Sequence, residues 1–562
     1  MAPAGACHHA SMANYGQGQR RCTHPPPEPE PEPETAVLDR RARVGWMLRV
    51  NRLYCAEGVW ARLPVFARAF KGGSHPRTAA VSTISRWETA ELPVTRTAVR
   101  RYEELLGLPD DLLGATAQTM LRYSAASSLS SPPLQAPARD GPVPYARIEE
   151  LLDRVDAADV MSGRNWCDLT QALCRVGDSV LMPARTWQAL SARLIAEMVI
   201  ADGVPWMLRF EALNRLLNHP RGASQAVAAC AAFAADGRNQ AVVEVVCALD
   251  NTNHKDAAAH IVAQLSDPTS ERARYGAFLA SIRKARYGHF APAQIRTVSL
   301  AVRDMLREPG PYTDGRMIAL EIVRDLPAEL IRTDHRDLAG ELSRGARGCA
   351  AARPAEQPGS GPARRLASEV IAQLAGDVPG YRELALPELV QEMVSNPVAD
   401  VRLYAACLLN ATPYGPLLAA RIARELARPG TLRDERIAVP LLDALRFLGG
   451  QGQRCALERI VIASGLPGPV VASAAHHLGH VGSASTEAYW RRALAHHLQR
   501  WEREREASAT RILRDLVYAL GMVRHGAVLQ ELRRDSRMPQ PARAAADWWL
   551  SVPEHIHASA RL

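Results

Sequence analysis

From residue 144 onward the chain reads as one helix after another, each about 10–18 residues long, separated by short Gly, Pro, Asp or Asn punctuation. That recurrence constrains the fold more than any other feature, because a chain so divided has no period-2 run from which to build a sheet. Composition agrees. Aromatic residues make up only 5% of the chain, and Ala, Leu, Val and Arg dominate, a mixture that favours helix over strand. At 562 residues the chain exceeds one ordinary core, so two or more domains are expected. The expected fold class is all-α.

Residues 81–96, Val-Ser-Thr-Ile-Ser-Arg-Trp-Glu-Thr-Ala-Glu-Leu-Pro-Val-Thr-Arg, carry the sharpest chemical signal. Ile84 and Trp87, three apart, form a small apolar face. Val81, Ser82, Ser85 and Arg86 lie on the other side and offer short polar groups, a methyl-bearing side chain and a guanidinium. Such a surface suits a DNA major groove: Arg pairs with guanine O6 and N7, Ser bonds either base edge, and Val packs on a thymine methyl. Pro93 ends the element, because it cannot continue a helix. Around this stretch, residues 38–123 read as five short helices, near 39–56, 63–70, 79–88, 97–107 and 110–123. Gly107 stops the fourth and Asp110 caps the fifth. Charge is concentrated here: residues 38–105 hold 13 Arg or Lys against 6 Asp or Glu, within a chain of formal charge +9. The bland source of the Arg excess is coding bias, since only Lys71, Lys255 and Lys284 are lysines.

The run Ile-Ser-Arg-Trp-Glu, a short turn with Pro, then an apolar helix closing on Leu-Gly-Leu-Pro resembles the repressor-type helix-turn-helix family known as XRE or Cro-like. The resemblance covers about an eighth of the chain and implies DNA-binding roles for Val81, Ser82 and Arg86 at the bases, with Thr83 and Ser85 flanking. It implies phosphate or backbone contacts for Arg62 and Arg96, and a structural role for Glu88. Two departures stand out. The segment from Lys71 to Thr78 is longer than the family's tight turn, and it either presents Arg77 and Lys71 to phosphates or spoils the angle between helices. Ala90 and Glu91 replace the family's glycine-and-basic exit.

The later helices resemble HEAT-like repeats, in which paired helices stack into a solenoid. Ser266-Asp-Pro-Thr-Ser-Glu-Arg-Ala-Arg-Tyr-Gly-Ala-Phe-Leu and Ser395-Asn-Pro-Val-Ala-Asp-Val-Arg-Leu-Tyr-Ala-Ala-Cys-Leu-Leu share a plan of polar-Pro turn, Arg and small-residue helix, and Asn218-His-Pro-Arg-Gly is a looser copy. The expected organisation is a disordered Pro/Glu-rich tail over 1–36, a five-helix helix-turn-helix domain over 37–123, a linker over 124–143, and a long α-solenoid over 144–562 with a flexible loop at 344–364.

The remaining candidates are bland. His476 and His480 share a helix face, but no Glu follows the first in the zinc-protease manner, so they read as solvated or core-satisfying. Cys7, His8 and His9 have no further ligands nearby. Trp548 and Trp549 read as a core pair. Ten cysteines without a Cys-x-x-Cys pair fit a reducing cytoplasm, and no run approaches the ~20 apolar residues of a membrane span. No phosphate-binding loop, dinucleotide fingerprint or nucleophile elbow occurs, so neither an enzyme nor a cofactor is expected. The expected function is sequence-specific transcriptional regulation. Double-stranded DNA is the partner, two half-sites imply a homodimer, and a peptide or protein could bind the solenoid. The alternatives are a helical-repeat scaffold whose first domain does not bind DNA specifically and, more remotely, an enzyme acting on nucleic acid.

Overall fold

Local signals account for where most helices begin. The Asp39 carboxylate accepts the Ala42 N–H at 2.7 Å, and Thr95, Ser162, Ser270 and Thr486 each cap a helix in the same way, satisfying a donor that would otherwise be orphaned. The computed structural model describes residues 39–55, 58–123, 145–307, 315–326, 360–374, 381, 383–482 and 484–562. The tail, the linker and residues 344–359 of the loop expected above lie outside the described residues; the last five residues of that expected loop, 360–364, instead open the helix Ser360–Leu374. Among those described, every regular element is helical, and one isolated bridge pairs Gly72 with His75.

Five helices open the fold: α1 (Arg40–Tyr54), α2 (Leu63–Ala69), α3 (Val81–Glu88), α4 (Arg96–Leu106) and α5 (Leu112–Tyr123). A first series follows: α6 (Tyr145–Asp156), α7 (Gly163–Val176), α8 (Ala184–Val199), α9 (Gly203–Leu217), α10 (Ala223–Ala234), α11 (Val243–Ala248), α12 (Lys255–Ser266), α13 (Glu271–Arg286), α14 (Pro292–Arg307) and α15 (Gly315–Arg324). The second series begins with α16 (Ser360–Leu374), α17 (Ala385–Ser395), α18 (Ala399–Asn410), α19 (Tyr414–Leu426), α20 (Pro429–Arg433), α21 (Glu435–Leu448) and α22 (Gln451–Ile462). It closes with α23 (Gly468–His477), α24 (Glu487–Glu504), α25 (Ala507–Met522), α26 (Gly526–Arg534), α27 (Gln540–Ser551) and α28 (Glu554–Ala560).

Through most of both series a helix packs on its chain neighbour and on the helix two positions on, so the helices fall into two ranks. In the first series α7, α9, α11, α13 and α15 form one rank, and α8, α10, α12 and α14 the other. In the second, α18, α21, α23, α25 and α27 stack in one rank, with α16, α19, α22, α24 and α26 behind them. The two series meet. The Gly163 N–H donates to the Leu562 carbonyl at 2.8 Å, and Trp549 Nε1 donates to Gln240 Oε1 at 3.0 Å. Arg272 pairs with Asp515. Trp548 and Trp549 are indeed buried in the core, and Trp549 packs where any Cβ on Gly521 would sit.

The five-helix bundle and the helical body share one continuous core. Arg43 in α1 makes a two-point contact with Glu392 at 2.7 and 2.6 Å, and Asn51 donates to the Ala411 carbonyl at 2.7 Å. In α5, buried Arg122 donates to Glu211 at 2.7 Å and to Asn251 at 2.9 Å. Tyr123 lies against Tyr404 with ring centroids 4.0 Å apart. One expectation is corrected locally. Asp110 does not cap α5, which starts two residues later at Leu112. Instead Asp111 adopts a left-handed φ of 62°, its N–H donates to Glu103, and Asp110 pairs with Arg164 at 3.1 Å.

Candidate nucleic-acid interface

α3 is short, and its position depends on what it buries. Ile84, Trp87 and Glu88 point into the bundle. Trp87 packs on Phe70 and His75, and α1 passes so close that a Cβ on Gly45 would lie 2.8 Å from the Trp87 and Glu88 carbonyl oxygens. Glu88 is the anchor. Its carboxylate accepts from Arg52 Nε at 2.7 Å, from Arg52 Nη2 at 2.8 Å and from the Tyr102 hydroxyl at 2.9 Å. Arg52 also donates to the Trp60 and Ala61 carbonyls at 3.1 and 2.7 Å. The buried charge is thus fully paired, and one network ties α1, α3, α4 and the chain entering α2. The Tyr102 phenol is held well above its ordinary range by burial and then by the neighbouring Glu88 charge.

With that side held, the opposite side of α3 faces out. Val81, Ser82 and Arg86 are exposed, and Thr83 and Ser85 are half-buried. Val81 is 41% exposed, as single apolar side chains at a protein surface often are. The Arg86 side chain is 53% exposed, and its nearest carboxylate is the equally exposed Glu91 at 3.8 Å, a pairing easily exchanged for another acceptor. Arg62 stands exposed at the N-cap of α2, which packs on α3. Arg77 and Lys71 are exposed in the segment leading into α3.

That segment is well anchored. Gly72 and His75 exchange backbone hydrogen bonds at 2.9 Å, Gly73 supplies a φ of 51°, and the Ser74 N–H donates to Glu104 at 3.1 Å. Arg101 in α4 donates to the Ala69 and Phe70 carbonyls at 2.8 and 3.0 Å. The extra residues form a small folded turn on α4. Arg96 is placed differently from the rest: its guanidinium donates to Gln171 Oε1 at 2.5 Å and approaches Cys167 Sγ at 3.7 Å, both in α7. The structure therefore brings Val81, Ser82, Thr83, Ser85 and Arg86 onto one helix, with Arg62 and Arg77 on adjoining segments, and engages Arg96 elsewhere.

The histidines near the end of α23 are engaged by neighbouring side chains. His477 Nε2 lies 2.9 Å from Asp443, His480 bridges Asp202 at 2.9 Å and the Tyr518 hydroxyl at 3.2 Å, and His476 stacks on Tyr518. Burial first, then nearby positive charge, pushes the His476 imidazole well below its ordinary value. Among the described residues no group of three or more His, Cys, Asp and Glu could hold a metal ion, and no helix is long and apolar enough to cross a membrane.

Sequence reasoning missed a cavity of about 270 Å³ between the facing ranks, walled by α9, α11 and α13 on one side and by α18, α21, α23 and α25 on the other. Its Arg, Asp and His residues come from five helices and the turn after α11, so no local spacing signals it. A scan against protein-family models matches none of them, and no curated protein is significantly similar to this chain.

Proposed function

We propose that this chain is a sequence-specific DNA-binding transcriptional regulator of helix-turn-helix type, with residues 39–123 as the binding domain and α3 as the recognition helix. The observation that carries the reading is the exposure of Val81, Ser82 and Arg86 on a helix whose other side is locked by the buried Arg52–Glu88–Tyr102 network. Rigid presentation matters, because base readout requires donors held at fixed positions against the groove floor. Arg62, Arg77 and Lys71 would supply phosphate contacts around it. The two-rank packing of α7–α15 and α16–α27 supports reading the body as an α-solenoid of HEAT-like hairpins, serving as sensor, dimerisation surface or partner platform. One such domain reads only a few base pairs, so a homodimer on two half-sites is part of the proposal, as is a cytoplasmic setting.

The test is selection of duplexes from a random pool by the full chain, followed by titration of the enriched duplex over a salt series. Enrichment of one sequence, with log affinity falling linearly in log salt, is the expected outcome. Recovery of no preferred sequence would favour a second reading, a helical-repeat scaffold whose bundle does not bind DNA specifically. The extensive docking of α1 and α5 onto the body is the observation that favours it.

A further inference from the structure

The cavity between the ranks is lined by aromatic, acidic and basic side chains. Trp206 and Phe210 stack in α9 with centroids 5.2 Å apart and planes at 18°. Phe447 in α21 approaches Trp206 at 6.3 Å, and the Arg446 guanidinium lies 5.2 Å from the Phe447 ring. Trp206 and Arg446 thus both lie near the Phe447 ring. Trp206 Nε1 and Arg446 Nε are buried and have no hydrogen-bond partner in the protein. Trp206 is only 3% exposed, and an indole N–H there is costly to leave unmet. Hydrogen-bond donors without acceptors call for a carboxylate or a comparable acceptor group.

Acidic side chains line the cavity as well. Asp400 in α18 lines the cavity together with Asp250 and Glu244. Its carboxylate stands apart from the ion pairs that engage its neighbours, Asp250 with Arg283 at 3.1 Å and Glu244 with Arg446 at 3.5 Å. Burial first, then the Asp250 charge, raises Asp400 to about 7. His477 adds an acceptor. Asp443 is held below its ordinary value, burial opposing and the His477 bond and Arg402 overcoming it, so His477 Nε2 donates to it. That leaves His477 Nδ1 buried and unpartnered, an acceptor in the tautomer that carries its proton on Nε2. A carboxylate in want of a cation and an imidazole acceptor call for an ammonium group.

We propose that this cavity binds a small zwitterion, an α-amino acid with an aromatic or large apolar side chain, its carboxylate on Trp206 Nε1 and Arg446 Nε, its ammonium at Asp400 and His477, and its side chain against Trp206, Phe210 and Phe447. A volume of about 270 Å³ lies at the small end of ligand pockets and suits one such molecule. The proposal deepens the sensing role given to the body above and rests on that reading for its regulatory meaning. Its test contains no DNA, so the two fail separately.

The probe is L-phenylalanine, titrated calorimetrically into the full chain alongside N-acetyl-L-phenylalanine, which lacks the ammonium, and phenethylamine, which lacks the carboxylate. Saturable binding of L-phenylalanine is expected, weakened at least about tenfold by either deletion, as the loss of one charged hydrogen bond implies. Trp206→Phe keeps the ring and should weaken L-phenylalanine and N-acetyl-L-phenylalanine but leave phenethylamine unchanged. Asp400→Asn should weaken L-phenylalanine and phenethylamine but leave N-acetyl-L-phenylalanine unchanged. Thermal melts of both variants confirm that they fold. Absence of saturable heat at millimolar L-phenylalanine overturns the proposal, and so does equal binding of all three probes or wild-type binding by both folded variants.

Discussion

Glu88 shows how a paired charge inside a small bundle fixes the helix that carries it. Its carboxylate accepts three hydrogen bonds from Arg52 and Tyr102 and is almost wholly buried. A pair like this adds little net stability compared with a well-packed apolar substitute, but removing one member strands the other. Glu88→Ala should therefore destabilise the protein by about 3–5 kcal/mol, measured as a shift of the denaturant midpoint at constant slope. A loss below about 1 kcal/mol would show that the network does not hold α3. The anchoring role of Glu88 was legible in the sequence from its place in the motif. Arg52 was not, because nothing local distinguishes an arginine beside an apolar stripe from a solvated one. Its partner lies 36 residues away.

At the scale of elements, the boundaries of the first four helices were legible because periodicity and caps are local. The helices expected at 39–56, 63–70, 79–88 and 97–107 stand at Arg40–Tyr54, Leu63–Ala69, Val81–Glu88 and Arg96–Leu106, and Gly107 stops α4 with a φ of 63°. The start of α5 departs from the expectation because Glu103, 8 residues back in the chain from Asp111, accepts the Asp111 and Gly114 N–H groups, and Asp110 turns to Arg164 instead. The exit of α3 carries a cost readable in its backbone. Ala90 sits at a φ of 64°, where an L-residue is strained by about 1–2 kcal/mol and glycine is not. Ala90→Gly should raise stability by roughly 0.5–1 kcal/mol once the looser unfolded chain is counted, seen as a higher melting temperature. A lower melting temperature would contradict the strain. Gly45→Ala should act in reverse. Its Cβ would press on the Trp87 and Glu88 carbonyls, displacing α3 and weakening binding to any duplex the wild type prefers.

Over the whole molecule, the sequence revealed helices but not how they close on each other. The facing of two ranks, the cavity between them and the seating of the bundle on the body all depend on pairs far apart in the chain, such as Arg122 with Asn251 and Tyr404 with Tyr123. Tyr404 also lines the cavity, so the cavity wall and the last bundle helix share a contact. Burial of histidines in this body sets its response to acid. His497, its Nε2 at 2.8 Å from the Val461 carbonyl, is pushed down to about 4 from 6.5, chiefly by burial. A depressed histidine favours the neutral form in the fold, so its contribution is complete above 6.5 and is lost as pH falls from there towards about 4. The stability difference between wild type and His497→Gln should shrink over that interval by up to about 3 kcal/mol, followed by chemical denaturation at a series of pH values. A constant difference would mean that His497 titrates normally. Glu103 and Asp400, both raised to about 7, act in the opposite sense, which is why the comparison is made against the single variant.

The central claim is that α3 presents Arg86 to bases while Arg62 meets only phosphate, and fluorescence-anisotropy titration of the selected duplex and a scrambled one tests it most directly. Arg86→Ala should cost about 1–3 kcal/mol on the selected duplex and narrow the gap between the two. Arg62→Ala should weaken both alike and reduce the salt slope by about one. Wild-type affinity and preference in both variants would contradict the account.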